Sequence, residues 1–171
     1  VDGGAILEKE LGKASGRFIS CNIESETEIR QLFVQTLKIA DNIEVVVNNA
    51  GIVRDKMIWD MSLSDYDQVM GVNLRGTWMM CREAARVMKH QGRGRIINIT
   101  SRAWLGNAGQ SNYSASKAGV VALTRVLALE LGKYNVLVNA VAPGLIDTPL
   151  TQKLRDDVKH KLINAQPTKT M

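Results

Sequence analysis

Short, wholly apolar runs alternate along the chain with longer stretches in which apolar positions recur at helical spacing, and turn signals separate them at the spacing of strands alternating with helices. Arg17-Phe18-Ile19-Ser20-Cys21 reads as a short strand. Ser25-Glu26-Thr27-Glu28 then reads as a capping box, in which serine and glutamate satisfy helix-end N–H groups reciprocally, so a helix is expected to begin there. Ile29, Leu32, Phe33, Leu37 and Ala40 recur at helical spacing and predict one apolar stripe against a sheet. Glu44-Val45-Val46-Val47-Asn48 is β-branched and too short for a helix, as expected of a parallel strand covered on both faces. Arg95-Ile96-Ile97-Asn98-Ile99 and the run from 136 to 141 repeat that pattern, and two long helical stretches, 64–89 and 113–131, lie between them. Four strands joined by crossover helices predict an α/β, doubly wound parallel sheet of the Rossmann-like kind, as one domain over residues 1–171.

Composition narrows the class. Hydrophobic residues are 45% and charged residues 23% of 171 positions, enough apolar surface for one soluble domain with its own core. The chain opens Val1-Asp2-Gly3-Gly4 without a basic-then-apolar leader, and it has no run of about 18 apolar residues, so a cytoplasmic protein that does not enter a membrane is expected. Cys21 and Cys81 have no metal-ligand neighbours at short spacing; reduced, semi-buried thiols and no metal are expected. The net charge of +5 would suit nucleic acid only if the basic residues clustered with aromatics. Aromatics are 5%, and the densest basic group, Lys89, His90, Arg93 and Arg95, straddles a glycine-flanked turn in the manner of a solvated helix end. A nucleic-acid partner is not expected; an acidic one stays open.

In a parallel α/β sheet, ligands bind beyond the carboxyl ends of the strands. The residues that follow the predicted strands are small and polar: Asn48-Asn49-Ala50-Gly51, then Thr100-Ser101, then Pro143-Gly144 with Thr148 close behind. Tyr113 and Lys117 are four residues apart on a predicted helix, which puts phenol and ammonium on one face. A positive charge about 4 Å from the phenol is worth roughly 4 kcal/mol at an effective dielectric near 20, and could lower a pKa of about 10 by up to ~3 units. Such a tyrosine can pass a proton to or from a carbonyl oxygen. Alone the pair is weak, since chance places one in roughly one of every three or four chains this long. Gly71, Asn73 and Gly76 are poor helix formers inside the 64–89 stretch and predict a kink that frees a backbone carbonyl for a water relay, or else a helix weakened for close packing.

Taken together, Asn48-Asn49-Ala50-Gly51, Asn73, Ser101, Tyr113-x-x-x-Lys117 and Pro143-Gly144-x-Ile146-x-Thr148 resemble the motif set of the short-chain dehydrogenase/reductase family, over nearly the whole chain. The resemblance implies a nicotinamide-dependent oxidoreductase in which Ser101 holds the substrate carbonyl and Tyr113 transfers the proton. It implies further that Lys117 lowers the tyrosine pKa and binds the nicotinamide ribose, and that Asn73 supports the water relay. Thr100 is a rival for the Ser101 role, and either hydroxyl could also simply cap a turn. By the same resemblance Asn22 and Ile23 lie against adenine, with asparagine where the family usually has aspartate. Asn48, Ala50 and Gly51 line the adenosine-ribose side, and Pro143, Gly144, Ile146 and Thr148 belong to the cofactor site, Ile146 and Thr148 toward the carboxamide and pyrophosphate. Residues 151–164 resemble the family's mobile substrate lid.

Family members begin with a strand, a glycine-rich turn and a helix whose N–H groups cradle the pyrophosphate. That unit does not precede residue 17, and the chain stops before the last helix and strand the resemblance implies, so the sheet is expected to be incomplete at both ends. The sequence is read as part of a longer enzyme, or else as a short protein with a vestigial site. Asp2 falls near the expected end of the family's second strand, where NAD and NADP are told apart; NADP(H) is favoured and NAD(H) not excluded. Gly51-Ile52-Val53-Arg54-Asp55 with Met57 and Met61, and the stretch from Gly106 to Tyr113, most resemble the 3-oxoacyl-acyl-carrier-protein reductases of fatty acid synthesis. That implies an acyl-thioester substrate, an acyl carrier protein as a possible partner for Arg93 and Arg95, and a homotetramer built on the two long helices. Two other readings stand beside it: the same mechanism on another ketone or secondary alcohol, chosen by residues such as Trp104 and Leu105, and an inactive scaffold using the helix faces around Arg82 and Val121.

Overall fold

A computed structural model describes residues 2–12 and 16–171. Three parallel strands, β1 (Val45–Asn48), β2 (Gly94–Ile99) and β3 (Val136–Val141), lie in the order β1-β2-β3, with Val46 opposite Ile96 and Ile96 opposite Val138. The helices are α1 (Asp2–Leu11), α2 (Glu26–Ile39), α3 (Leu63–Val69), α4 (Thr77–Gln91), α5 (Ser111–Leu131), α6 (Pro149–Gln152) and α7 (Asp156–Asn164). A π-helical segment, Met70–Gly76, joins α3 to α4, and a short 3-10 turn, Arg102–Leu105, follows β2. No helix among the described residues is long and apolar enough to cross a membrane. The parallel α/β class read from the pattern is the observed one.

Two expectations about the sheet need correction. Residues 17–21 form no strand, because a strand exists only through its ladder and theirs has no neighbour. Phe18 instead donates its N–H to Glu8 on α1 at 3.1 Å, and β1 is an edge. Nor are the strands covered on both faces. Ile96, Val136 and Val138 turn inward against α2, α4 and α5, whereas Val45, Val47, Leu137 and Val141 on the opposite face are each about half exposed. The periodicity of two was therefore present, hidden because both strand faces are β-branched. Asp2, expected near a strand end, begins α1.

The core gathers Ile29 and Phe33 of α2, Met79, Cys81, Ala84 and Met88 of α4, and Ile96, Leu131, Val136 and Val138. Leu37 and Ala40, the last members of the predicted α2 stripe, are exposed. Ser25 caps α2 as expected, its hydroxyl accepting the Glu28 N–H at 3.3 Å. The reciprocal half of the box differs: the Glu28 carboxylate accepts from the Asn22 N–H at 2.8 Å, because the Ser25 N–H is already taken by the Asn22 carbonyl. An ion-pair group of Arg30, Arg82 and Arg86 around Glu26 and Glu83 ties α2 to α4.

At Gly94 the start of β2 passes so close to α4 that a Cβ would lie inside contact distance of Met88 Cγ and Sδ, and 2.8 Å from its Cβ. Gly94→Ala should therefore destabilise the fold by about 1–3 kcal/mol through overpacking, read as a lower urea midpoint at unchanged slope.

Candidate active site

Everything chemical lies at the carboxyl ends of β1, β2 and β3. Thr100 and Ser101 leave β2 in succession and so point to opposite sides. Thr100 is buried, and its hydroxyl donates to the Lys117 carbonyl at 3.1 Å. Ser101 caps the 3-10 turn, its Oγ accepting the Ala103 N–H at 3.2 Å, and opens into a cleft of about 310 Å³. Tyr113, in the first turn of α5, lines the same cleft beside the Ser101 hydroxyl, with Asp55, Arg102, Pro143 and Gly144. The segment predicted as a lid closes one side with Thr151, Leu154 and Leu162.

Lys117 sits one helical turn behind Tyr113, buried, with Nζ donating to the Ile99 carbonyl at 2.9 Å and lying 5.6 Å from the centre of the tyrosine ring. The expected effect of this lysine on the phenol is not what the structure gives. Burial pushes the Tyr113 phenol above its usual value; the hydrogen bond with Ser101 pulls it down, and the Asp55 carboxylate pushes it up further. Lys117 is itself lowered by burial, with its ammonium turned toward the Ile99 carbonyl. Four-residue spacing puts the two side chains on one face; it does not set the distance from nitrogen to phenol oxygen.

Asn73 is fully buried in the π segment, and its carboxamide grips the backbone of Ile52 twice: Oδ1 accepts the Ile52 N–H at 2.8 Å, and Nδ2 donates to the Ile52 carbonyl at 2.9 Å. The predicted kink is thus a π-helical turn. Within this turn the Asn73 carbonyl accepts the Thr77 hydroxyl at 2.8 Å. Gly51, next to the gripped residue, passes so close that a Cβ would stand 3.3 Å from Asn73 Oδ1 and 3.6 Å from Lys117 Nζ. Ile23, Asn48 and Ala50 gather with Thr77 and Met80 around a second, smaller hollow of about 140 Å³. The Asn48 side chain faces inward, however, donating to Asn98 Oδ1 at 2.8 Å and Cys81 Sγ at 3.2 Å. Asn22, Ile146 and Thr148 line neither hollow: Asn22 Oδ1 accepts the Glu24 N–H, Ile146 is exposed, and Thr148 caps α6.

Arg93 and Arg95 lie at the opposite end of β2, roughly 20 Å from Ser101 along the strand. Arg93 pairs with Glu44 at 3.0 Å. Sequence reading missed Asn98, Asn112 and Gln110. Asn112, fully buried, donates to the carbonyls of Arg54 and Asp65 and accepts the Tyr113 N–H at 2.7 Å. A polar residue in the last positions of a buried strand, as at Asn98, was the available signal.

With this geometry in view, a family model described as short chain dehydrogenase matches residues 3–159, and the chain belongs to that family. Among its relatives, a 3-oxoacyl-[acyl-carrier-protein] reductase of Aquifex aeolicus is 46% identical over 157 residues, which are 91% of this chain and 62% of the relative. A (2S)-[(R)-hydroxy(phenyl)methyl]succinyl-CoA dehydrogenase subunit of Thauera aromatica is 42% identical over 86% of this chain and 59% of its own length. A (3R)-3-hydroxyacyl-CoA dehydrogenase of Rattus norvegicus is 48% identical over 69% of this chain and 46% of its own. The chain thus spans about three fifths or less of the length of these relatives.

Two outcomes follow from the packing. Asn73→Ala leaves the N–H and carbonyl of Ile52 without partners, at about 1–3 kcal/mol for each unsatisfied group, and should lower the urea midpoint accordingly. Burial pushes the Cys81 thiol up to about 12, against the pull of its hydrogen bonds to Asn98 and Asn48. At pH 8 a thiol reagent should therefore leave Cys81 unmodified in the folded protein and label it only in denaturant, while half-buried Cys21 reacts slowly in the native state.

Proposed function

We propose that the chain is the catalytic part of a nicotinamide-dependent reductase that converts a ketone to a secondary alcohol, with a 3-oxoacyl thioester as the favoured substrate. One observation carries the reading: the Ser101 and Tyr113 hydroxyls share one cleft, with buried Lys117 a single helical turn behind. The relatives supply the substrate class, since their names give acyl-carrier-protein and coenzyme A thioesters.

The residues present suit a nicotinamide cofactor. Gly51 leaves a cradle beside Lys117 Nζ that a Cβ would narrow, and Pro143 and Gly144 line the cleft that holds Tyr113. When bound, such a cofactor supplies hydride to the carbonyl carbon. The chain's own work is to hold the carbonyl oxygen between two hydroxyls and give it a proton. Burial keeps the Tyr113 phenol protonated at neutral pH, which is the state a donor needs. Ser101 stands beside the phenol in the cleft, and the Lys117 ammonium, which donates to the Ile99 carbonyl, lies close to the Gly51 cradle, where a ribose hydroxyl would find a donor. Thr100, committed to the Lys117 carbonyl, is the less suited of the two adjacent hydroxyls. NADP(H) is the favoured cofactor, NAD(H) the other, and the acyl chain enters from the side lined by Leu154 and Leu162.

Assembly as a homotetramer and a cytoplasmic location belong to the same proposal. A hollow between α4 and α5, lined by Trp78, Ala85, Leu123 and Leu127, leaves Trp78 46% exposed on the faces that would meet.

The test is NADPH oxidation with acetoacetyl-CoA, comparing this chain with a version extended by a glycine-rich N-terminal βα unit and the family's C-terminal segment. In the extended protein Tyr113→Phe should lower kcat by about 100- to 10,000-fold, and Ser101→Ala should also cost heavily. Thr100→Val should lower the urea midpoint and leave kcat within a few-fold. Turnover that survives Tyr113→Phe would sink the reading.

A further inference from the structure

Asp55 lines the cleft with Tyr113, and no step above uses it. It belongs to a short segment stitched to the loop that launches α5. The Lys56 N–H donates to the Gly109 carbonyl at 2.9 Å, and Asn112 Nδ2 donates to the Arg54 carbonyl at 3.1 Å. Between these, Gln110 Nε2 donates to Asp55 Oδ2 at 2.9 Å, while Asn107 Nδ2 donates to Gln110 Oε1 at 2.9 Å and orients the amide. Gln110 stands at the N-cap of α5, yet its side chain bonds no helix N–H; it is committed to the carboxylate.

The neighbouring cations leave that carboxylate alone. Lys56 pairs with Asp65 at 2.9 Å, and Arg54 donates to the carbonyl of Val53. Among the described residues no ion pair involving Asp55 occurs, so its charge is held in place by a neutral amide and not cancelled.

We infer that the Asp55–Gln110 pair is a positioning device for proton transfer, fixing the first turn of α5, and Tyr113 with it, against the loop after β1, and setting an uncompensated negative charge in the cleft. The inference rests on the reading of Tyr113 as the proton donor. Its chemical consequence is the protonation state of the phenol. A carboxylate in the cleft disfavours tyrosinate, the form that would take a proton from an alcohol, and favours the phenol, the form that gives one to a ketone. The other groups facing the phenol are Ser101 from the end of β2 and Lys117 from α5 itself; Arg102 lines the same cleft, and the side chains that α6, α7 and their flanks contribute carry no charge. Asp55 is thus the only acidic group of the described cleft lining, and the carboxylate that acts on the phenol.

The measurement is a pH titration of the intact protein labelled with 13Cζ-tyrosine. The chain has three tyrosines, and Tyr113→Phe assigns the resonance that matters. Asp55→Asn keeps an amide-bonding partner for Gln110 and removes the charge; it should lower the Tyr113 midpoint by about half to one pH unit. Gln110→Glu sets a second carboxylate beside the first and should raise it. In the reductase assay the alkaline limb of kcat/KM should follow the same shifts, downward for Asp55→Asn. A Tyr113 midpoint that stays in place in both variants overturns the inference, even if Tyr113→Phe abolishes turnover and the reductase reading stands. Midpoints that move as stated while Tyr113→Phe still turns over keep the pair's effect on the phenol and discard the donor role.

Discussion

The buried carboxamide of Asn98 is the interaction on which the rest of the architecture converges. It lies in the central strand, fully out of water, and each of its polar atoms is engaged by a different element. Its oxygen accepts from Asn48 of β1 and from the Cys81 thiol of α4, and its nitrogen donates to Thr124 of α5. A buried amide left unsatisfied costs about 1–3 kcal/mol per group, so strand and helices must meet in one register or forfeit that much. The apolar core around Ile96 and Met88 would tolerate sliding more readily than this network does. Because the network lies near the carboxyl ends of the strands, the place where register is held most tightly is also the floor of the candidate site.

The site is built with a second clamp of the same chemistry. Asn73 grips both polar groups of Ile52, so the π segment positions the loop after β1 directly, and Gly51 is carried to the side of Lys117 as a result. Poor helix formers in the middle of a long helix make sense in these terms: the widened π turn brings the Asn73 side chain within reach of the loop, and Thr77 satisfies the carbonyl that the turn would otherwise strand. Electrostatics then act on a fixed frame. Burial raises the Tyr113 phenol and lowers the Lys117 ammonium, moving both groups toward their neutral forms, and the Asp55 carboxylate adds to the first effect.

Much of this could be read from the linear chain. Three strands announced themselves as short β-branched runs, the two long helices by their periodicity, the π turn by Gly71, Asn73 and Gly76, and the cleft pair by Ser101 and Tyr113. What escaped is of one physical kind. Residues 17–21 have strand composition and no strand, because hydrogen-bonding partners, and not composition, make a strand. Glu28 has the spacing of a capping box and bonds Asn22, because the Ser25 N–H was already engaged. The bonds that join Asn98, Gln110 and Asp55 to other elements were not legible, since the partners lie between 17 and 55 residues away.

The sequence by itself determined the α/β class, the order of elements and the set of hydroxyl, phenol and ammonium groups delivered to one end of the sheet, because period and spacing act locally and survive in any context. Only the tertiary structure decided which hydroxyl faces the cleft, where the lysine points, and whether the phenol is raised or lowered. Those outcomes depend on burial and on single distances between side chains remote in sequence, and the free energy of a charge varies with both far more steeply than with its place in the chain.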